Sequence, residues 1–277
     1  MSWFQLFCML VVDLMHEFEL SIWKALFTHL IRILSAAKAG NTLVSELNRR
    51  YRMVPTFGSD TIRKFASNTS EMKRMAARDF EDVLQVSPHS DFLAFEFLSK
   101  CDQCAIPVFD GLLPKPHNET VLTLLFTCAY WHMLAKMCMQ TDEMLELLDV
   151  ITERLGRHLR HFKQDTCAAF NTRELKWEVE CRQRHEPKSQ AGNSITTPTT
   201  QGVRRLKTFN LKTYKLHALG DYSNSICKFG TTDSYSTEPV RKYASGTSSY
   251  TSYVVNRESS NIAHLRQDFV KLMGSSL

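Results

Sequence analysis

Residues 11–27 read VVDLMHEFELSIWKALF and mark a change in the hydrophobic pattern of the chain. The apolar run 4–12 precedes this change and is short enough to form either a buried strand or a helix. From Leu14 onward the apolar residues recur every three or four positions, which predicts an amphipathic helix. Because positions three apart share one side of a helix, we expect Asp13 and His16 on the same side of its first turn.

The composition bounds the class of protein without selecting one. The chain has 277 residues, is 43% hydrophobic and carries a formal net charge of +5, which suffices for one large or two small domains. This mildly basic balance permits contact with nucleic acid without requiring it. Eight cysteines without the spacing of a disulfide framework indicate a reduced, intracellular protein. Cys101 and Cys104 form the only close pair, and two ligands are too few for a structural zinc site.

The apolar run 4–12 does not have the features of a membrane segment. It is shorter than the roughly 20 residues that span a bilayer, and it lacks the basic region and the cleavage site of a signal peptide. Asp13 and His16 would also interrupt such a segment. We therefore expect a buried strand that begins a truncated domain, and no membrane partner.

Hydrophobic periodicity over the rest of the chain predicts a mainly α fold, a helical bundle with a few short strands. His132 lies within an apolar helix and is expected to be a hydrogen-bonded core residue. A charged, exposed helix is expected within residues 172–188, with Glu178 and Arg182 paired one turn apart. The predicted helix ends are about Lys38, before Gly40-Asn41; Thr42 to Arg52, before Val54-Pro55; 121–139, capped by Asn118; and Thr141 or Asp142 to Phe162, in an antiparallel pair with its predecessor.

Three basic clusters are candidate contacts for DNA phosphates. In the first cluster Tyr51 is also a candidate to stack on a base. The first two clusters have an alternative interpretation as a solvated surface. That alternative is preferred for the first cluster, a short run at a helix end where positive charge favours the macrodipole. The clusters are Arg49, Arg50, Tyr51 and Arg52; Arg154, Arg157, Arg160 and Lys163; and Arg204, Arg205 and Lys207.

Several segments carry a family likeness in a fixed order. Asp13-Leu14-Met15-His16 follows a short apolar run and opens a helix. Residues 72–85, followed by 104–114, form a helical middle. Residues 214–238 then contain His217, Phe229-Gly230 and a final Thr-Glu. In this order the segments resemble DDE-type transposases of the Plavaka group, which are related to CACTA elements and common in fungal genomes.

The resemblance implies an RNase H-like core with a large helical insertion and an ancestral activity of DNA strand cleavage and transfer with Mg²⁺. It makes Glu238 the candidate third catalytic acid, and Asp13 and His16 the accessory pair beside the second. The first two catalytic aspartates would normally precede Asp13, but only twelve residues do so here and none is acidic. After Glu238 the family pattern of a further Glu and a His is replaced by Pro239 and basic residues. We therefore expect an incomplete site and no cofactor in this chain.

The same order divides the chain into five parts. Residues 1–40 are expected to be the truncated edge of the core, 41–186 the helical insertion domain, 187–203 a disordered linker, 204–239 a C-terminal core segment and 240–277 a mostly disordered tail. Residues 86–103 interrupt a predicted helix, and their removal restores the family order. We interpret them as a retained intron that is read as protein, with an ordinary surface insertion as the alternative.

These observations predict a transposon-derived fragment of a DDE transposase that is catalytically inactive, a pseudoenzyme. One alternative is a helical module that binds DNA or protein without catalysis. Another is an enzyme completed in trans by a chain that supplies the missing aspartates. The expected partners are DNA and either a second copy or a full-length transposase, and the expected location is the nucleus.

Overall fold

The computed structural model describes residues 11–56, 63–71, 75–84, 105–185 and 204–235. These residues are mainly helical, which confirms the predicted mainly α class. They contain no β-strand, only an isolated bridge between Arg173 and Leu206. The helices of four or more residues are the π-helix Leu14–Trp23, α1 (Lys24–Ala37), α2 (Thr42–Met53), α3 (Ala77–Leu84), α4 (Ala105–Phe109), α5 (His117–Ala135), α6 (Asp142–His161) with the π-helical turn Phe162–Thr166 that continues it, α7 (Lys176–His185), α8 (Tyr214–Ala218), α9 (Tyr222–Phe229) and α10 (Thr232–Tyr235).

The π-helix and α1 form one continuous N-terminal helix with the predicted apolar face. Phe18, Leu26 and Ile33 on that face are all fully buried. The helix stops where the sequence indicated, because Gly40 and Asn41 both adopt left-handed backbone angles, with φ of 77° and 55°. By length and composition Leu14–Ala37 is long and apolar enough to cross a membrane, and 56% of its most apolar window is buried inside the protein.

Helices α5 and α6 form the predicted antiparallel pair. Trp131 donates to the Thr152 hydroxyl at 2.8 Å, and Thr127 lies 3.1 Å from His158, so residues ascending in one helix meet residues descending in the other. Helix α6 begins as expected, because the Thr141 hydroxyl accepts from the Met144 amide.

Asn118 does not cap α5. It lies inside the first turn, where its side-chain oxygen accepts from the Gly111 amide at 2.9 Å and its amide nitrogen donates to Asp110. Asn118 therefore holds the preceding loop against the helix. The helix ends at Ala135, four residues before the predicted end.

One hydrophobic core joins three of the parts expected from the sequence. The Phe18 ring stacks on Trp131 with centroids 4.6 Å apart, and Trp131 meets the edge of Tyr222 at 4.9 Å. These rings come from the N-terminal helix, α5 and α9. Trp23 also donates to the Phe80 carbonyl of α3 at 2.7 Å. The described residues of 1–40, 41–186 and 204–235 thus share buried contacts.

Helix α7 forms, but its predicted internal ion pair is wrong. Glu178 accepts two hydrogen bonds from Arg32 of α1, at 2.6 and 3.1 Å, and Arg182 bonds instead to Glu174 at 3.0 Å. Both pairs are largely buried. Side chains on this helix therefore fasten it to the core, which the i,i+4 rule for an isolated helix does not anticipate.

Several predictions concern residues outside the described part of the chain. They are residues 4–10 of the strand predicted over 4–12, the insertion 86–103, the linker 187–203, the tail 240–277 and Glu238. Residues Val11 and Val12 are described, and they are not in a strand.

Candidate functional site

The Asp13 carboxylate closes the first turn of the N-terminal helix. One oxygen accepts from the Met15 amide at 3.1 Å, and the other lies 2.7 Å from His16 Nδ1. The predicted placement of Asp13 and His16 on one side is confirmed. The His16 side chain is 52% exposed and lies at the surface.

The C-terminal helices pack directly against this turn. Lys215 of α8 donates to the His16 carbonyl at 2.8 Å, across 199 positions of sequence. Tyr222 of α9 approaches the Glu17 carboxylate at 3.5 Å. The structure thus brings residues 13–17 next to residues 215–222, two of the segments that carry the family likeness.

Glu17 is an acid of this region that the sequence did not single out. Burial raises its pKa and the Asp13 charge adds to the rise, whereas the Asp13 backbone, Lys215 and Tyr222 act in the opposite direction. A glutamate in an amphipathic helix normally faces solvent. Its position here becomes apparent only when α9 covers it.

Glu238 lies outside the described residues, and the last residue described before it is Tyr235. The Tyr235 hydroxyl is buried and has no hydrogen-bond partner within the described part of the chain. Burial, with the charges of Asp233 and Glu17, raises the pKa of Tyr235 to about 12. Tyr235 is therefore within electrostatic reach of Glu17, three positions before Glu238. The approach of Glu238 to Asp13 stays a prediction.

No metal centre is formed by the residues that the structure describes. Nowhere in that part of the chain do three His, Cys, Asp or Glu side chains come together in a way that could hold an ion. Cys101 and Cys104 lie outside it, as does Glu238. The Mg²⁺ site implied by the resemblance stays a prediction.

His132 is a hydrogen-bonded core residue, as predicted. Its Nε2 lies 3.0 Å from the Glu19 carboxylate, and both side chains are buried. Phe18 stacks on the imidazole with centroids 5.5 Å apart. Since each polar group satisfies the other away from water, this pair joins the N-terminal helix to α5 and is structural.

The first basic cluster is bound up in contacts within the protein. Arg49 forms two hydrogen bonds of 2.7 Å with Glu46, and Arg50 bonds to the same carboxylate at 2.8 Å. These two arginines lower the pKa of Glu46 to about 2. Arg50 also donates to the Val108 carbonyl, and Arg52 donates to Asn68.

Tyr51 is a core residue, so the suggestion that it stacks on a base is wrong. Its side chain is 0% exposed. The ring packs edge-on to Phe27, with centroids 6.2 Å apart, and against Phe65 at 5.2 Å. The tyrosine lies on the apolar side of α2, whereas the arginines on either side of it in the sequence point outward.

The second basic cluster winds around the part of α6 that faces away from the core. Leu155 and Leu159 face the core, and Arg154 lies on the side next to Tyr130 of α5. A rotation of about 100° per residue places Arg157 about 60° from Arg154 and Arg160 about 60° farther round, where the Arg160 guanidinium covers Gly156. Lys163 follows in the next turn.

Two histidines share the side that carries Arg154 and Arg157. We call the surface formed by Arg154, Arg157, His158 and His161 the basic face. Burial lowers the pKa of Arg154, and the charge of Arg157 adds to this effect. Arg157 and His161 are exposed, whereas Arg154 and His158 are half-buried. His161 pairs with Asp165 at the end of the face, and no ion pair joins Arg157 to Glu153 one turn before it.

The third basic cluster surrounds a buried acid. Glu174 accepts from the Arg205 amide at 3.1 Å and lies 3.5 Å from the Lys207 ammonium, in addition to its bond with Arg182. Burial opposes its ionisation, but these hydrogen bonds and charges outweigh burial and lower the pKa of Glu174. The Arg204 and Arg205 side chains are exposed. Part of the positive charge of this cluster is thus balanced within the protein.

No family model matches this chain, and it matches no curated protein and no solved structure. A functional assignment therefore rests on the contacts, burial and charges of its own residues. Among the arginines of the three basic clusters, Arg157 is exposed and forms no ion pair with the residues that the structure describes.

Proposed function

We propose that this chain is a transposon-derived, non-catalytic module that binds the phosphate backbone of DNA through the basic face. The observation that carries the proposal is the row of Arg154, Arg157, His158 and His161 along one side of α6. The DNA-binding part of the proposal does not depend on the family likeness, since it rests on charge and exposure alone.

The dimensions of the basic face suit a phosphate backbone. From Arg154 to His161 the helix rises about 10 Å, which corresponds to about three base-pair steps along the axis of a duplex. The exposed guanidinium of Arg157 offers paired N–H donors that match a phosphate in geometry as well as in charge. Arg154 is half-buried next to Tyr130 of α5, which contributes to the electrostatics of the arginine. A half-buried arginine of this kind loses less side-chain conformational entropy when it binds a phosphate than a fully exposed one does.

The transposase origin is supported by the order of the motifs and by the packing of residues 215–222 against residues 13–17. Loss of catalysis is supported by the roles that the candidate residues already have. Asp13 caps a helix and bonds to His16, and Glu238 is followed by Pro239 and Arg241 in place of the family's further acid. An arginine near a two-metal site would repel the cations. DNA as a partner would place the protein in the nucleus.

Fluorescence anisotropy with a labelled duplex of roughly 20 base pairs tests DNA binding. We expect non-specific binding with Kd of about 10⁻⁴ to 10⁻⁶ M at physiological salt, and a marked loss of affinity between about 50 and about 200 mM salt. Substitution of Arg157 by alanine should weaken binding and reduce the slope of log K against log[salt] by about one.

Arg49→Ala is the matched control, because Arg49 is an exposed arginine of another helix, α2, and its charge is paired with Glu46. It should leave the slope nearly unchanged. Equal effects of the two substitutions would show that net charge, and not the basic face, drives binding. Binding that does not respond to salt would contradict the proposal altogether.

A plasmid-nicking assay with Mg²⁺ or Mn²⁺ tests the absence of catalysis. We expect no cleavage by the full chain. Metal-dependent nicking that disappears in Glu238→Gln would overturn the non-catalytic part of the proposal and favour the enzyme completed in trans.

A further inference from the structure

His158 occupies the most enclosed position on the basic face. Its Nδ1 lies 3.1 Å from the Thr127 hydroxyl of α5, and that hydroxyl in turn donates to the Thr123 carbonyl at 2.8 Å. These contacts hold the imidazole in the seam between α5 and α6. The ring therefore has a defined orientation beside Arg157, unlike a freely rotating surface histidine.

The charged groups around His158 are mostly positive. On its own helix they are Arg154, Arg157 and His161, whereas α5 contributes only the uncharged Thr123 and Thr127. Asp165 faces His161 at the far end of the face. A proton on His158 therefore meets repulsion from neighbours on α6 and no direct carboxylate partner among the described residues that pack against it.

We propose that DNA binding by the basic face is coupled to protonation of His158, so that the duplex binds more tightly as the pH falls from about 8 to about 6. This inference rests on the proposed function and adds a regulation to it. The phosphate backbone supplies the negative charge that is missing around the imidazole.

The direction of the pH effect follows from proton linkage. In the free protein, burial, with the charges of Arg154 and Arg157, lowers the pKa of His158, so the ring is neutral at pH 7 to 8. A phosphate within hydrogen-bonding reach favours the charged ring and raises that pKa in the complex. Because the complex then holds more protons than the free protein, affinity increases as the pH falls through the interval between the two pKa values.

The test is the same anisotropy titration at about pH 6, 7 and 8 and constant ionic strength. We expect the wild-type chain to bind about threefold more tightly at pH 6 than at pH 8. His158→Gln keeps a group that can bond to Thr127 and should flatten this dependence. His217→Gln, an exposed histidine of α8, should not.

An unchanged pH profile in His158→Gln would overturn the proton coupling. If that binding still weakened with salt and still needed Arg157, the proposed function would stand; if neither held, both would fall. A histidine NMR titration of the wild-type chain gives a second test, which does not depend on whether the variant folds. The His158 ring should titrate at higher pH when duplex is added, and an unshifted titration would also overturn the coupling.

Discussion

Helices α2 and α6 end in basic segments that look alike in the sequence and differ in the folded protein. In α2 the arginines bond to Glu46, to the Val108 carbonyl and to Asn68. In α6 Arg157 lies exposed beside half-buried His158 and Arg154. The density of positive charge in a segment therefore does not identify a binding surface. The acids and carbonyls that the fold brings to each arginine decide whether its charge is available.

A physical reason for the difference is visible in the neighbours of each helix. Glu46 precedes Arg49 and Arg50 by about one turn, and Arg50 also donates to two carbonyls, that of Val108 at the end of α4 and that of Asp110 just after it. Next to the basic face of α6, α5 presents threonine side chains at positions 123 and 127. Hydroxyl groups orient an imidazole but cannot neutralise a guanidinium.

The largest effect expected in this comparison is at Tyr51. Tyr51→Ala should lower the free energy of unfolding by about 3 to 5 kcal/mol, because a fully buried aromatic ring is removed from contact with Phe27 and Phe65. Urea denaturation measures the change. Tyr51→Phe should cost less than about 1 kcal/mol, since it keeps the buried ring and removes the hydroxyl that donates a long hydrogen bond of 3.4 Å to the Val83 carbonyl. A loss below about 1 kcal/mol in Tyr51→Ala would show that Tyr51 is not a buried core residue, and the contrast between the basic segments of α2 and α6 would then be wrong.

The second effect contrasts a core histidine with His158. His29 is fully buried, and its Nε2 has no hydrogen-bond partner among the described residues. Burial, with the Arg32 charge, lowers the pKa of His29 to about 4. Below about pH 6.5 His29 therefore binds a proton in the unfolded chain but stays neutral in the folded chain. The free energy of unfolding should fall by about 3 kcal/mol as the pH falls towards 4.

The contribution of His29 can be isolated with His29→Leu. Asp82 acts with the opposite sign, because burial raises its pKa to about 6 and folding then becomes more favourable as the pH falls from 6. Because Asp82 is present in both proteins, its contribution cancels in the difference between the unfolding free energies of the wild type and the variant. A difference that does not change between pH 7 and pH 4 would show that His29 does not stay neutral in the fold.

The third effect measures whether Arg50 stabilises the folded protein. Arg50→Ala removes bonds to Glu46 and to the Val108 carbonyl, and because the side chain is partly exposed we expect a loss of about 1 kcal/mol in unfolding free energy. Arg157→Ala should change that free energy by less than about 0.5 kcal/mol. If the two substitutions had the reverse effects, the assignment of the two basic segments would have to be exchanged.

The smallest effect separates charge from geometry on the basic face. Arg157→Lys keeps the positive charge but loses the planar fork, so the salt dependence of DNA binding should persist while affinity falls by less than about threefold. Anisotropy at several salt concentrations measures both quantities. Full loss of binding would mean that Arg157 makes a specific paired contact, and not a general contact with phosphate.

Local signals in the sequence predicted much of the helical framework. The period from Leu14 onward, the left-handed positions Gly40 and Asn41, and the cap at Thr141 each depend on a few neighbouring residues. The bond between Asp13 and His16 belongs to the same class, because both residues lie within one turn. The hydrogen-bonded core role of His132 followed from the apolar helix around it, although its partner Glu19 did not.

Tertiary structure decided which polar residues meet across the chain. Glu178 pairs with Arg32 at a separation of 146 positions, and Glu17 is covered by a helix about 200 positions away. A local sequence pattern cannot predict these contacts, because they depend on how whole helices pack against one another. The same reason explains the basic clusters: the sequence determined how many positive charges each one has, and only packing decided that Tyr51 is buried, that Arg49 and Arg50 are paired, and that Arg157 lies open beside His158.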